Sequence, residues 1–311
     1  MAAEQSLAGY IDSQGSGKDI VDKTIDAVIQ RKNDIPLVNG RFMRIASSPT
    51  GDYKESQIGN VLRLPEVSED GSVLPMATTA SGFPKELNAV TFRLGIQVQR
   101  KMQEDDRLGQ VPYLVGGLAD IGRTRLEYSF ANEKNTAFSA LGADGVAICS
   151  DSHPHARADG GTWDNLETAA ALSAGTFSTA RKNMWRRTNE GGHPMPLMPE
   201  LLEVSPENEE VAKQIAASEL VPDNALNAKN VWKGSFEVLV NPWLTSTTAW
   251  FVWSSLSDIP QSGGMVYFRK AAPAIEAFDA QDPDILMSRR LRMRYAVGTY
   301  VEPRIQGNAG A

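Results

Sequence analysis

Only one cysteine, Cys149, and three histidines, His153, His155 and His193, occur in 311 residues, and that scarcity excludes whole classes of chemistry. One thiol cannot close an intramolecular disulfide, and no Cys/His quartet at zinc-finger spacing exists. No G-x-S-x-G elbow or H-E-x-x-H helix accompanies the few histidines, so a hydrolytic triad has no candidate set. No apolar run approaches the ~20 residues needed to cross a bilayer, and the N-terminus lacks a basic stretch followed by an apolar core. A cytosolic product with no membrane partner is therefore expected. Positive charge is also short: 31 Lys and Arg against 38 Asp and Glu give a formal net charge of −7. That balance opposes a general attraction to nucleic acid. What is present is an ordinary packing composition, 41% hydrophobic and 22% charged, enough for one large domain or two smaller ones.

The segment from Val111 to Pro154 carries the strongest local signal. Val111, Leu114, Val115, Leu118 and Ile121 follow helical spacing, with Arg123, Arg125, Glu127, Glu133 and Lys134 supplying charge further along. Pro112 suits a first turn, and Glu104, Asp105 and Asp106 lie just upstream of the positive helix start. Gly116, Gly117 and Gly122 each weaken such a helix by roughly 1 kcal/mol relative to Ala, so packing against other elements or another copy must hold it. Upstream, the first ~34 residues read as an arm with a helical pattern at Ile20, Val21, Ile25, Val28 and Ile29. Ile35 to Leu87 is rich in Gly, Pro and Ser with a turn at Glu69–Gly71, which predicts an extended loop or long hairpin that grips a neighbour. Val90, Phe92, Leu94, Ile96 and Val98 alternate as a strand.

Downstream, a helix is predicted over Leu166–Arg187 with Asp164 or Thr162 as its cap. A strand at Leu201–Val204 leads into a helix capped by Ser205, with Pro206 in its first turn. FEVLVNP, AWFVWSS and MVYFRKA read as strands of one sheet. In the last strand Leu291, Met293, Tyr295 and Val297 alternate with Arg290, Arg292 and Arg294, giving an apolar row on one face and an arginine row on the other.

Candidate chemistry is thin. SQGSGKD at Ser13–Asp19 lacks the first glycine and the final hydroxyl of a phosphate loop, and GADG at Gly142–Gly145 reads as a tight turn. Cys149, Asp151, His153 and His155 are the one set that could crowd a metal, against the plainer reading of a loop beside a buried thiol. Arg289, Arg290, Arg292 and Arg294 could touch phosphates, or form ion pairs with an acidic neighbour presenting Glu104, Asp105 and Asp106, which the acidic net charge favours. Trp232, Trp243, Trp250 and Trp253 suit core and interface packing.

In their order, NTAFSALGADGVAICSDSHP, GGTWDN, PENEEVAKQI and FEVLVNPWLTSTTAWFV make the chain, from about Phe92 to Tyr300, resemble a tailed-phage major capsid protein, more narrowly the Mu-like major head subunit group. The resemblance implies an α+β Hong Kong 97-like fold: an N-terminal arm at 1–43, an extended loop at 44–87, a peripheral domain at 88–140 with a long spine helix, an axial domain at 141–285, and a return strand with C-terminal tail at 286–311. It implies no enzyme and no cofactor. The implied function is self-assembly into hexamers and pentamers of an icosahedral head around double-stranded DNA, put together in the host cytoplasm and forming the virion shell. The implied partners are copies of itself, a portal, a scaffolding protein and a decoration protein. Lys54 and Lys85 lie in the loop where some relatives crosslink, but no matching motif accompanies them and no crosslink is expected. A cargo-holding nanocompartment of the same fold, or a metal-dependent enzyme centred on the Cys149–His155 loop, are the competing readings.

Overall fold

A computed structural model describes residues 36–58, 81–101, 111–156, 161–189, 192–219, 229–255, 264–278 and 284–311. A 3-10 turn at Asn39–Phe42 leads into strands β1 (Arg44–Ala46), β2 (Asp52–Ile58), β3 (Ser81–Asn88) and β4 (Val90–Gln99), then the long helix α1 (Val111–Asn135). The short pair β5 (His153–Pro154) and β6 (Thr162–Trp163) precedes α2 (Ala174–Arg186), β7 (Pro199–Val204), α3 (Glu209–Ala217), β8 (Glu237–Val240) and β9 (Trp250–Ser254). The chain ends with β10 (Met265–Ala277), β11 (Ile285–Thr299) and β12 (Ile305–Asn308). Among the described residues no helix is long and apolar enough to cross a membrane.

Two four-stranded sheets organise these elements, one ordered β1-β10-β11-β4 and the other β12-β9-β7-β8. The first forms because β11 alternates. Leu291, Met293 and Tyr295 are buried under α1, while Arg292 is exposed on the far face. β10 pairs along nearly its whole length with β11, with register shifts on either side of Ala271. Pro273 has no N–H to donate, and it is tolerated because β1 pairs only with Val266–Phe268, leaving the rest of β10 an open edge. α1 comes down on this sheet through Gly122, whose position for a Cβ lies 2.9 Å from Leu291 Cδ2. Val115, Leu118, Ala119, Leu126 and Phe130 therefore form its buried face. Leu114 and Ile121, expected on that face, are 40% and 52% exposed instead. The closest approach at the glycine sets the helix rotation, and that is a tertiary effect which spacing alone does not register.

The second sheet is buried on both sides. Trp253 and Phe251 of β9 face the core shared with α1 and β11, whereas Trp250 and Val252 face α2 and α3. This explains the continuous burial of Trp250–Ser254 without alternation. β8 and β9 share this sheet as expected, but β10 belongs to the first, so the three runs are not one sheet. Similarly, β10 falls on the axial side of the 285/286 division although it is the partner of β11, and β12 falls on the peripheral side although it closes the second sheet. Runs of branched and aromatic residues announce strands, not partners.

Helix α2 starts later than expected. Ser173 caps it, in a reciprocal box with Thr176, rather than Asp164 or Thr162. The residues before it are held by β12 and β9: Glu167 N–H donates to Gly307 O at 2.9 Å, Ala170 N–H to Asn308 Oδ1 at 3.1 Å, and Trp250 Nε1–H of β9 to Ala170 O at 3.2 Å. Pro206 does open a helical turn, but the Ser205 hydroxyl donates to Thr247 O at 2.8 Å and caps nothing. GADG is the tight turn expected, closed by Gly142 N–H to Val146 O at 2.8 Å, with Gly145 at φ 80° where only glycine sits freely.

Gly307 of β12 lies against the buried thiol: a Cβ there would stand 2.6 Å from Cys149 Sγ and 3.2 Å from both Cys149 Cβ and the Phe138 ring. Gly307→Ala is expected to cost about 1–3 kcal/mol by overpacking. Adding Cys149→Ala should return part of that loss, since it removes the nearest atom. A denaturant double-mutant cycle checks this, and strictly additive losses would show that the contact is not the cause.

Candidate functional site

The two sheets meet at a buried polar chain built on the second half of α1. Glu127, six per cent exposed, accepts from Asn39 N–H at 3.0 Å and from Asn39 Nδ2 at 2.8 Å, and also from Val38 N–H. Asn241 Nδ2 bridges onward, 2.7 Å from Asn39 Oδ1 and 2.6 Å from Glu203 Oε1. Glu203 on β7 also accepts from Trp253 Nε1 at 2.8 Å and is ion-paired with Lys134, both side chains being fully enclosed. The Lys134 ammonium stands 4.1 Å from the Phe42 ring centre. Burial pushes the Lys134 pKa down, with Glu203 working in the opposite direction. In the sequence Lys134 reads only as one of the charges that follow the apolar face. Its spacing from Leu126 and Phe130, four residues at each step, was the available sign that it lies on the buried face.

A second buried cluster fastens the C-terminal segment. Glu302 accepts from Met265 N–H at 2.8 Å, while Arg304 reaches Glu302 at 2.7 Å and Phe42 O at 3.1 Å. Arg187 donates to Asp164 O at 2.9 Å and Ile305 O at 3.3 Å, and also to Pro303 O and Gln306. Desolvation lowers its pKa to about 10.

The Cys149–His155 loop is dispersed. Cys149 is enclosed and its thiol pKa is pushed well above the ordinary range by burial. Asp151 is exposed beside Ser152. His153 is stacked on Trp163, with Nδ1 2.5 Å from Asp144 Oδ2 and Nε2 3.0 Å from Asn165 Oδ1. Both of its nitrogens are committed, and among the described residues no three His, Cys, Asp or Glu side chains gather at metal-binding spacing. The loop's contacts are those of a structural strap: Cys149 N–H to Ala137 O, Asn165 Nδ2 to Ile148 O, each at 2.8 Å.

The arginine row divides. Arg290, Arg292 and Arg294 share the face of the first sheet away from α1, paired across strands with Gly95, Arg93 and Thr91. Arg290 reaches Glu276 at 3.1 Å, and Thr91, Arg93, Arg290 and Arg292 line an open groove of about 490 Å³. Arg289 alternates to the other face, where desolvation lowers its pKa. On the β2–β3 hairpin, Lys54 is exposed opposite Glu86, whereas Lys85 donates to Leu141 O at 3.0 Å and Thr299 O at 2.9 Å and so ties the hairpin base to β11. Glu104, Asp105 and Asp106, Ser13–Asp19 and the Glu69–Gly71 turn lie outside the described residues.

One further surface was invisible in the sequence. Tyr113, Leu114, Ile121 and Tyr128 stand on the outer side of α1, between 40% and 84% exposed, and Val90 and Leu94 of β4 are 56% and 45% exposed. Arg125 lies over the rings of Phe92 and Tyr128 at 4.7 and 5.6 Å. Exposed apolar side chains gathered along one helix and the strand beside it are the kind of surface that contact with another protein covers. No pocket lined by a catalytic constellation accompanies it among the described residues.

Residues 84–305 match the family described as phage capsid protein. Among solved structures, the chain is similar to the procapsid protein of bacteriophage JBD30, at 13% identity and a TM-score of 0.52, covering 93% of this chain and 74% of that one. The JBD30 capsid aligns at 16% identity and TM-score 0.53 over 68% of this chain and 92% of that one. Mycobacterium phage Cain aligns at 12% identity and TM-score 0.51, over 88% and 90% respectively. No curated protein matches the chain by sequence.

Two measurements probe the buried chemistry. Lys134→Met leaves Glu203 enclosed without its cation, and is expected to cost about 3–5 kcal/mol in chemical denaturation. Lys134→Met combined with Glu203→Gln should cost less than the sum of the two single changes; full additivity would show that the pair is not coupled. The thiol supplies the second test: native Cys149 should resist maleimide at pH 8 and react within minutes once the chain is unfolded. Rapid labelling of folded protein would contradict its burial.

Proposed function

The chain belongs to the phage capsid protein family and is a major capsid shell protein of Hong Kong 97-like fold, and from that premise we propose that it closes into hexamers and pentamers of an icosahedral head around double-stranded DNA. The observation that carries this reading is the apolar strip of α1 and β4, which leaves the single subunit with surface that another copy must cover. In this arrangement residues 1–43 form the arm and 44–87 the extended loop, based on the β2–β3 hairpin. The first sheet with α1 makes the peripheral unit, and the second sheet with α2 and α3 the axial unit. Assembly proceeds in the host cytoplasm with a scaffolding protein and a portal, and a decoration protein is a further candidate partner. Lys54 and Lys85 stay uncrosslinked. Lys85 supports this, because its ammonium is occupied by two carbonyl oxygens, Leu141 O and Thr299 O.

Negative-stain microscopy with light scattering tests the reading. Purified protein, alone or with its scaffolding partner, should give closed shells, tubes or six- and five-fold rings. Ile121→Asp should leave the subunit folded by circular dichroism and abolish these assemblies, because a charge in a covered apolar contact is uncompensated. A monodisperse monomer or dimer of the unaltered chain under every condition would overturn the proposal.

A further inference from the structure

We propose that the arginine face of the first sheet docks an acidic segment of a second copy of this chain, with Arg93 and Arg292 at the centre of the contact. The inference rests on the shell reading above and deepens it by naming one contact within the assembly. Across the β4–β11 pair, Arg93 stands directly opposite Arg292 on one face of the sheet, with Arg290 and Arg294 two residues away on either side. Like charges placed directly opposite on neighbouring strands destabilise a sheet. Glu276 answers Arg290 at 3.1 Å, but among the described residues no carboxylate answers Arg93 or Arg292, and both are exposed. The isolated subunit thus holds an uncompensated pair of guanidinium groups over an open groove of about 490 Å³. That geometry suits an arriving anion, because each guanidinium presents a planar fork that can hold a carboxylate by two parallel hydrogen bonds.

Charge selects the occupant. Each copy carries a net charge of −7, so identical subunits repel one another unless positive surface on one meets negative surface on the next. The arginine face supplies that positive surface. The matching feature in the sequence is Glu104–Asp106, the only place where three acidic residues stand in a row.

The test uses the full chain, with the unaltered protein assembled in parallel so that failure of the shell reading shows separately as failure of that control. Arg93→Glu with Arg292→Glu is expected to lower assembled mass about tenfold or more by light scattering. Combining it with Glu104→Lys, Asp105→Lys and Asp106→Lys should restore shells. Arg292→Gln serves as the mild variant: in unassembled subunits its melting temperature should equal or exceed that of the parent, since a repulsion is relieved. Unimpaired assembly of the arginine double variant would overturn the proposal, as would failure of the reversed acidic run to rescue it. Shells formed in normal yield but depleted of double-stranded DNA would assign the face to nucleic acid instead. A lowered melting temperature for Arg292→Gln would place the anion within the same subunit and overturn the intersubunit contact.

Discussion

The ion pair between Lys134 and Glu203 is the constraint on which the rest of the subunit depends. It lies where α1, the segment at Val38–Phe42 and the second sheet converge, and both side chains are removed from solvent. Taking two charges out of water is expensive, and their mutual attraction offsets the cost only when every remaining donor and acceptor is met. Here they are met: Glu203 also receives Trp253 and Asn241, and Asn241 hands the chain on to Asn39 and Glu127. Such a network adds little net stability over an apolar core of the same shape, but it tolerates very few arrangements. A shift of one helical turn along α1 would leave Lys134 or Glu127 buried and unpaired, so the network fixes the helix against both sheets in one register.

The same logic governs the end of the chain. After β11 leaves the first sheet, residues 300–308 run to the edge of the second and pair antiparallel with β9, with Arg304 and Arg187 donating to backbone carbonyls along the way. Arginine suits these sites because it keeps its charge when desolvated and offers several fixed donors. Glu302, between the two sheets, accepts from Met265 and from Arg304. The sheets are therefore not separable bodies on a flexible tether. The chain passes from one to the other after α1, before β10 and again after β11, and the last two passages meet at Glu302, which accepts from Met265 N–H and from Arg304. In a shell, load applied to one sheet passes to the other through these fastenings.

Legibility in the sequence followed the distance over which each feature is decided. The alternation of β4 and β11, the GADG turn, the long helix and the presence of an arginine face are local patterns, and all were readable. The family resemblance rested on short motifs that preserve their order. Which side of α1 is buried was not readable, because Leu114 and Ile121 fit the apolar spacing as well as Leu126 and Phe130 do, and only the approach of Gly122 to Leu291 decides between them. The buried roles of Lys134 and Glu203, which stand 69 positions apart, and of Arg304, which reaches Phe42 O 262 positions away, are decided between distant residues, and strand runs alone do not say that β10 joins β11 rather than β9. Of the candidate surfaces, the arginine row was visible from period-two spacing, whereas the apolar strip emerged only when the helix rotation was known.

In the proposed assembly these two surfaces divide the work of self-association by range. The apolar strip acts on contact: it is non-directional, grows with area, and contributes nothing until water is expelled. The arginine face acts at a distance of roughly a Debye length, about 8–10 Å at ordinary salt, and it is directional because it attracts only a surface of opposite sign. A chain of net charge −7 that relied on apolar contact alone would bring its copies together against a repulsive field with no preference among orientations. One that relied on charge alone would gain little per contact, since exposed ion pairs contribute at most about 1 kcal/mol. Charge selects the approach and apolar burial holds the product. If every copy of the proposed shell repeats both contacts, individually weak interfaces sum to a stable container while each remains reversible enough to correct errors during growth.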